Sequence, residues 1–423
     1  MSKKVLFFII LGLVIIAAIG ALKIMAPANP DPGTPTTGGI RFRDFLPFGN
    51  KPDPVPNEEV PGENPNEEPI VTPNNPEENT APIFSQIVPT PVAGFTVLER
   101  IRKVPGSVPE AVETKEVVRY VDAITGHISD VFPDTGATEP VTNQTIPGIH
   151  RAEFGNAGTS LVANYLKPDG ATVETMYGKI LTDIEGNGAI QADVLPKDTL
   201  DFSVSPDGKK FFYLFRFDTG SVGNTIAFDT KTKSTIFESP FVEWTSQWAG
   251  PEQITLTTKA SGTTNGFSYS LNPTTKALTR ILGNVSGLTA LYGPSSDNAL
   301  YASGSQNGLN LYAYKQKGNA AESAPFSTLP KKCVFATETK VYCAVPNSIS
   351  TNLYPDSWYQ GRVSFDDSFY LLDLGSFSQS LVGNPSVEGE SVDAVDLKVN
   401  KAGTMLVFRN KKDGTLWKMD LSK

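Results

Sequence analysis

Only two cysteines and two histidines occur in the 423 residues, and that scarcity closes off several chemistries. Two thiols cannot build a disulfide-dense scaffold, and without further Cys or nearby His they cannot complete a zinc site. Basic residues are also in deficit. The formal charge is -9, so nothing points to a nucleic-acid surface. No phosphate-binding glycine motif, metalloprotease motif or nucleophile elbow occurs. His127 follows the turn at Gly126 and reads as an exposed strand residue. His150 stands beside Arg151 with no Ser or Cys motif to complete a triad. Asp183 to Gly188 has the start of a calcium loop, but its twelfth position is Val194 where a bidentate Glu is needed. No metal and no cofactor is expected. With 33 prolines and 36 glycines the chain favours turns over long helices, and an all-β body is the natural reading.

One long apolar run is present. Lys3 and Lys4 precede eighteen uncharged residues from Val5 to Leu22, which as a helix span roughly 27 Å, the thickness of a bilayer core. The basic flank favours a cytoplasmic N-terminus and an exported body. The expected partner of residues 5–22 is therefore the cytoplasmic membrane, crossed once by a signal-anchor over residues 1–25. The alternative is a cleaved signal peptide ending near Ala18-Ile19-Gly20. No cysteine follows the run, which excludes lipoprotein anchoring. Residues 26–82 hold fourteen prolines and residues 50–80 carry a charge of -7. Such a stretch has too little apolar material to offset the entropy of ordering and reads as a disordered stalk.

Beyond Pro82 the ruler is Asp198 to Asp218. Leu200, Phe202 and Val204 alternate with polar residues, Ser205-Pro206-Asp207-Gly208 supplies turn chemistry, and Phe211 to Phe217 resumes as an aromatic strand. Related strand-turn-strand units centre near Gly158, Gly208, Pro251, Ser296, Glu338 and Gly403. Their spacing of about 45 residues is that of a four-stranded β-propeller blade. A degenerate first unit from Phe95 to Val131 makes seven blades, with six or eight as alternatives. The last unit, from Val395 to Leu421, has only three strands. Ile83 to Val88 resembles the outer strands of other units and would supply the fourth, closing a domain over residues 83–423 and removing an open edge.

Ser205 to Lys210 and its partner hairpins resemble the repeats of TolB/WD40-like propellers. Thr328 to Ala336, Val341 to Pro346 and Tyr354 to Gly361 together resemble membrane-anchored propeller proteins of small-genome uncultivated bacteria, a group that carries no function over. Repeats of this superfold mostly serve as interaction surfaces, and the resemblance implies no more.

Cys333 and Cys343 sit symmetrically about Glu338, the centre of a hairpin turn. Symmetric pairing sets Cys333 opposite Cys343, Val334 opposite Tyr342 and Phe335 opposite Val341, close enough for a disulfide. Free buried thiols are the alternative, with metal or redox chemistry behind them. Between Pro346 and Asp367 an insertion joins the second and third strands of its blade, which places it on the face that carries the loops between blades. That face also receives His150, Arg151, Glu243, Trp244, Lys259, Lys331 and Lys332. Trp244, Tyr354, Asp356, Trp358 and Tyr359, with His150 and Arg151, form the candidate binding surface, suited to sugar stacking or a protein hot spot. The competing reading is a lid whose aromatics plug the channel. The expected function is a non-catalytic binding or assembly module for an envelope protein or glycan. The alternative is an exported hydrolase or lyase using Asp356, His150 and Arg151.

Overall fold

The hairpin at Ser205 sets the pattern of the body. Gly208 takes a left-handed φ of 70°, its N–H donates to Ser205 O at 2.8 Å, and Ser205 Oγ donates to Asp207 Oδ1 at 2.6 Å. Glycine reaches that φ without steric cost, so the turn is tight and the strands register at once. Phe211, Phe212, Tyr213 and Leu214 follow, all fully buried. A continuous apolar run replaces alternation because this strand is covered on both faces by neighbouring blades.

A computed structural model describes residues 83–103, 112–182, 187–295 and 297–422. The apolar run at 5–22, the proline-rich stretch and residues 183–186 of the acidic loop lie outside the described residues. Among those described, no helix is long and apolar enough to cross a membrane.

Seven four-stranded antiparallel sheets succeed one another along the chain. Their inner strands are Val92–Lys103, Ile149–Gly155, Thr199–Val204, Trp244–Gly250, Thr289–Tyr292, Cys333–Phe335 and Ala394–Val399, which we number as blades 1 to 7. The fold is a seven-bladed β-propeller. Blade 7 takes its outermost strand from the other end of the domain: Phe84–Val88 pairs with Leu416–Asp420, with Phe84 opposite Met419 and Val88 opposite Leu416. The Phe84 ring lies 5.5 Å from Phe369 of blade 6, and Phe369 lies 4.9 Å from Phe408 of blade 7. The fourth strand thus contributes core as well as ladder hydrogen bonds.

Apolar clusters run between blades, and polar clasps join the inner strands around the axis. Arg151 of blade 2 donates to Asp201 of blade 3, and Asp201 accepts from Ser246 of blade 4. Gln247 of blade 4 exchanges two hydrogen bonds with the Tyr292 backbone of blade 5, at 2.9 and 3.0 Å. Lys398 of blade 7 donates to Phe95 O of blade 1 at 2.6 Å. Blade 1 departs from the short degenerate unit read in the sequence. Its first two strands have 12 and 11 residues, while the third pairs only with Val118 to Val121.

Cys333 and Cys343 form the disulfide, with Cα atoms 4.1 Å apart. Their hairpin has the symmetric register, Val334 opposite Tyr342 and Phe335 opposite Val341. Both sulfur-bearing side chains sit in the core of blade 6 with Val341, Leu372 and Trp358.

Candidate functional site

The inner strands of blades 5 and 6 have four and three residues, where the other blades have six or more. A shortened inner wall leaves space beside the axis. There lies a cavity of about 880 Å³, lined by blades 4 and 5, by Arg151 and Asp201, and by residues of the insertion. That volume falls within the range of small-ligand sites.

The insertion is seated by backbone. Tyr354 N donates to Ser305 O of blade 5 at 3.2 Å, and Gly262 N of blade 4 donates to Asp356 Oδ2 at 2.6 Å. Gly262 and Gly304 let the strap approach, since a Cβ at either would stand 2.3 or 2.5 Å from Tyr354 O. A one-turn helix, Asp356–Tyr359, then points consecutive residues to opposite sides. Trp358 turns inward, 1% exposed, and donates from Nε1 to Asp393 Oδ2 at 2.9 Å. Tyr359 turns outward, 46% exposed, and lines the cavity with Asp356 and Gln360.

These positions correct part of the expected surface. Tyr354 and Trp358 are core residues, held between blades with Phe365, and neither offers a face to a ligand. Trp244 is also buried, boxed edge-on by Phe237, Phe241 and Tyr269, with its indole N–H satisfied by Phe241 O at 3.2 Å. A buried indole keeps its place when its one polar group is paired, and that removes it from the surface. Lys332 is fully buried as well, bound to Asp367 and Asp393, and so does not belong to the upper rim. His150 is exposed beside Gly148 O and does not line the cavity. Arg151, Asp356 and Tyr359 do line it.

Arg151 is committed within the protein. It pairs with Asp201 and Glu153, donates to Phe202 O at 2.6 Å, and lies 4.1 Å over the Phe202 ring. Burial alone would depress its guanidinium, but Asp201 and then Glu153 outweigh that and push it above its ordinary range. Across the channel, burial would raise Asp396, while Lys331 and Arg409 hold it well below the usual carboxylate range. Burial pushes the Tyr359 hydroxyl up to about 12, with the Asp396 charge adding to it. Tyr359 is therefore a neutral phenol at physiological pH. Asp356, His150 and Arg151 share no hydrogen bond with one another among the described residues.

Two exposed aromatics were missed in the sequence. Phe241, 67% exposed, leaves the connector into blade 4, and Phe217, 64% exposed, ends the second strand of blade 3. Ser221, in the strand after Phe217, donates to Phe241 O at 2.7 Å, which ties the two loops together. The available signal was an aromatic residue directly after Pro240 in the short connector between strands.

No protein-family model and no curated protein matches the chain. Solved structures do. TolB from Acinetobacter baumannii is 12% identical, with 77% of this chain and 79% of that one covered and a TM-score of 0.41. An oligogalacturonate lyase in complex with manganese is 9% identical, covering 78% and 98% at a TM-score of 0.45. The Kuenenia stuttgartiensis hydrazine synthase is 10% identical, covering 72% and 92% at 0.47. The likeness to TolB and these others is one of fold.

Proposed function

We propose that the chain is a single-pass membrane protein that displays a propeller outside the cytoplasm as a non-catalytic binding or assembly module. Its partner is an envelope protein or glycan, met at the upper mouth of the channel. Residues 5–22 have the length and apolarity of an anchor, and residues 26–82 have the composition of a flexible stalk. Tethering raises the effective concentration of the propeller at the envelope.

The observation that carries the reading is the state of the cavity's charges. Lys259 pairs with Glu243 at 2.9 Å, Lys331 with Asp396 at 3.6 Å, and Arg151 with two carboxylates. General acid-base work needs titratable groups converging on one reacting atom, whereas these are spent on one another. Tyr359, Phe241 and Phe217 remain outward, as recognition residues do. The test is capture from envelope extracts by the full chain, compared with a Tyr359→Ala/Phe241→Ala variant. Loss of a captured component in the variant is expected. Equal capture overturns the reading, as does cleavage of an envelope polymer that Asp356→Asn abolishes.

A further inference from the structure

The cavity's wall is built from hydroxyl and amide side chains whose own hydrogen bonding is one-sided. Thr245 Oγ1 donates to Thr257 O at 3.2 Å, Thr255 Oγ1 to Gln247 O at 3.3 Å, and Ser246 Oγ to Asp201 Oδ2 at 3.0 Å. Each of these hydroxyl protons is used inside the protein. What remains toward the cavity at these three is the acceptor side of the oxygens, whereas Thr258 Oγ1 accepts from Phe267 N and keeps its proton to donate. Thr289, in the shortened inner strand of blade 5, is different. It is 8% exposed, lines the cavity, and its Oγ1 has no partner among the described residues. A buried hydroxyl left unpaired costs free energy, which a ligand at that wall recovers. The Gln360 amide and Tyr359, both solvent-exposed, line the same space and make no side-chain hydrogen bond among the described residues.

The wall is as informative for what it lacks. Every cation lining it already faces a carboxylate, so an anionic ligand would have to displace an internal ion pair. Asp356 adds a carboxylate held by a backbone N–H and by no cation among the described residues. The apolar lining is small: Ala260, Ala290, Leu288, Leu291 and Pro330. It offers no deep pocket for a large side chain, while Tyr359 offers one exposed ring.

From this we infer that the cavity between blades 4, 5 and the insertion is a subsite for a neutral, hydroxyl-rich ligand, a short run of uncharged sugars. Sugar hydroxyls supply the donors that the Thr and Ser oxygens require and both meet and satisfy Gln360 and Thr289. A C–H face of a sugar ring covers Tyr359. The inference rests on the binding-module reading and narrows it.

Calorimetric titration of the full chain, held in a non-glycosidic detergent, tests it with maltotriose, cellotriose and chitotriose as neutral probes and trigalacturonate as the acidic one. One or more neutral trisaccharides should bind one to one, and more tightly than trigalacturonate. Thr289→Val is close in shape and gives up no protein hydrogen bond, so its melting temperature should hold or rise. Its affinity should fall about five- to tenfold, the loss expected for one hydrogen bond. Tyr359→Ala should weaken binding at least as much. Absence of neutral binding, tighter binding of trigalacturonate, or unchanged affinity in both variants overturns the assignment. If an envelope protein is captured in a Tyr359-dependent way while no neutral trisaccharide binds, the sugar falls and the binding module stands. If neither occurs, both fall.

Discussion

The Lys332 ammonium lies 2.7 Å from Asp367 Oδ2 and 2.5 Å from Asp393 Oδ1, and all three side chains are fully buried. This cluster joins blade 6 to the entrance of blade 7 beneath the insertion. Asp393 also accepts from Trp358 Nε1, Phe365 N and Ser364 Oγ. Asp367 has Lys332 and Ala394 N on one oxygen, and its other oxygen has no partner among the described residues.

One cation between two buried carboxylates leaves a negative charge in excess, and the acid with fewer hydrogen bonds, Asp367, is the one that takes up a proton to relieve it. Burial raises Asp367 to about 6, against the pull of Lys332 and with the Asp393 charge adding to it. Between about pH 4 and pH 6 the folded protein therefore holds a proton that the unfolded chain has released. The contribution of this group to stability is greatest below that window and declines as pH rises through it, by a total of order 1–3 kcal/mol. Denaturant unfolding of Asp367→Asn across pH 4 to 7 should lack that decline. A slope identical to the parent's would contradict it.

Neighbouring aromatics should behave as opposites. Trp358→Ala removes a buried indole and one of the hydrogen bonds to Asp393, a loss of about 3–5 kcal/mol. Tyr359→Ala, one residue on, should cost under about 1 kcal/mol. Thermal melts of the two variants check this directly, and similar losses would refute the inward and outward assignment.

Reduction of Cys333–Cys343 should lower stability by about 2–3 kcal/mol, the value for a short closed loop. The Cys333→Ser/Cys343→Ser variant should melt earlier than the parent and should not respond to added dithiothreitol. A parent whose melt is unmoved by dithiothreitol, once loss of the bond has been shown by mass spectrometry, would count against this.

Phe84→Ala should cost about 3–4 kcal/mol, because the ring packs on both Phe369 and the bare face of Gly383. Removal of residues 1–91 should do worse, exposing the edge of Leu416–Asp420 and leading to association. Sedimentation and melting of that truncation provide the check, and a monomer with the parent's melting temperature would refute it.

Much of the ring could be read because blades advertise themselves through turns. Ser205 to Gly208 and the symmetric hairpin about Glu338 carry local chemistry that sets register, and both appear in the structure as read. The longer step in blade 6 reflected a real insertion, residues 347–366. Which of its aromatics faced outward could not be read. Strand periodicity assigns sides every second residue, but Tyr354, Trp358 and Tyr359 lie in a loop and one helical turn, where only tertiary contact decides. Trp244 misled for a related reason: it opens a strand, and its burial depends on Phe241 folding back over it. The cavity itself arises from two truncated inner strands, and strand ends are the part of a pattern that composition marks least.

Because Phe84–Val88 pairs with Leu416–Asp420, blade 7 cannot be completed until Leu416–Asp420 has been synthesised. A nascent chain carries Phe84–Val88 unmatched until that partner strand emerges. Six blades can assemble beforehand, and the final zip joins the two ends of the domain in one step.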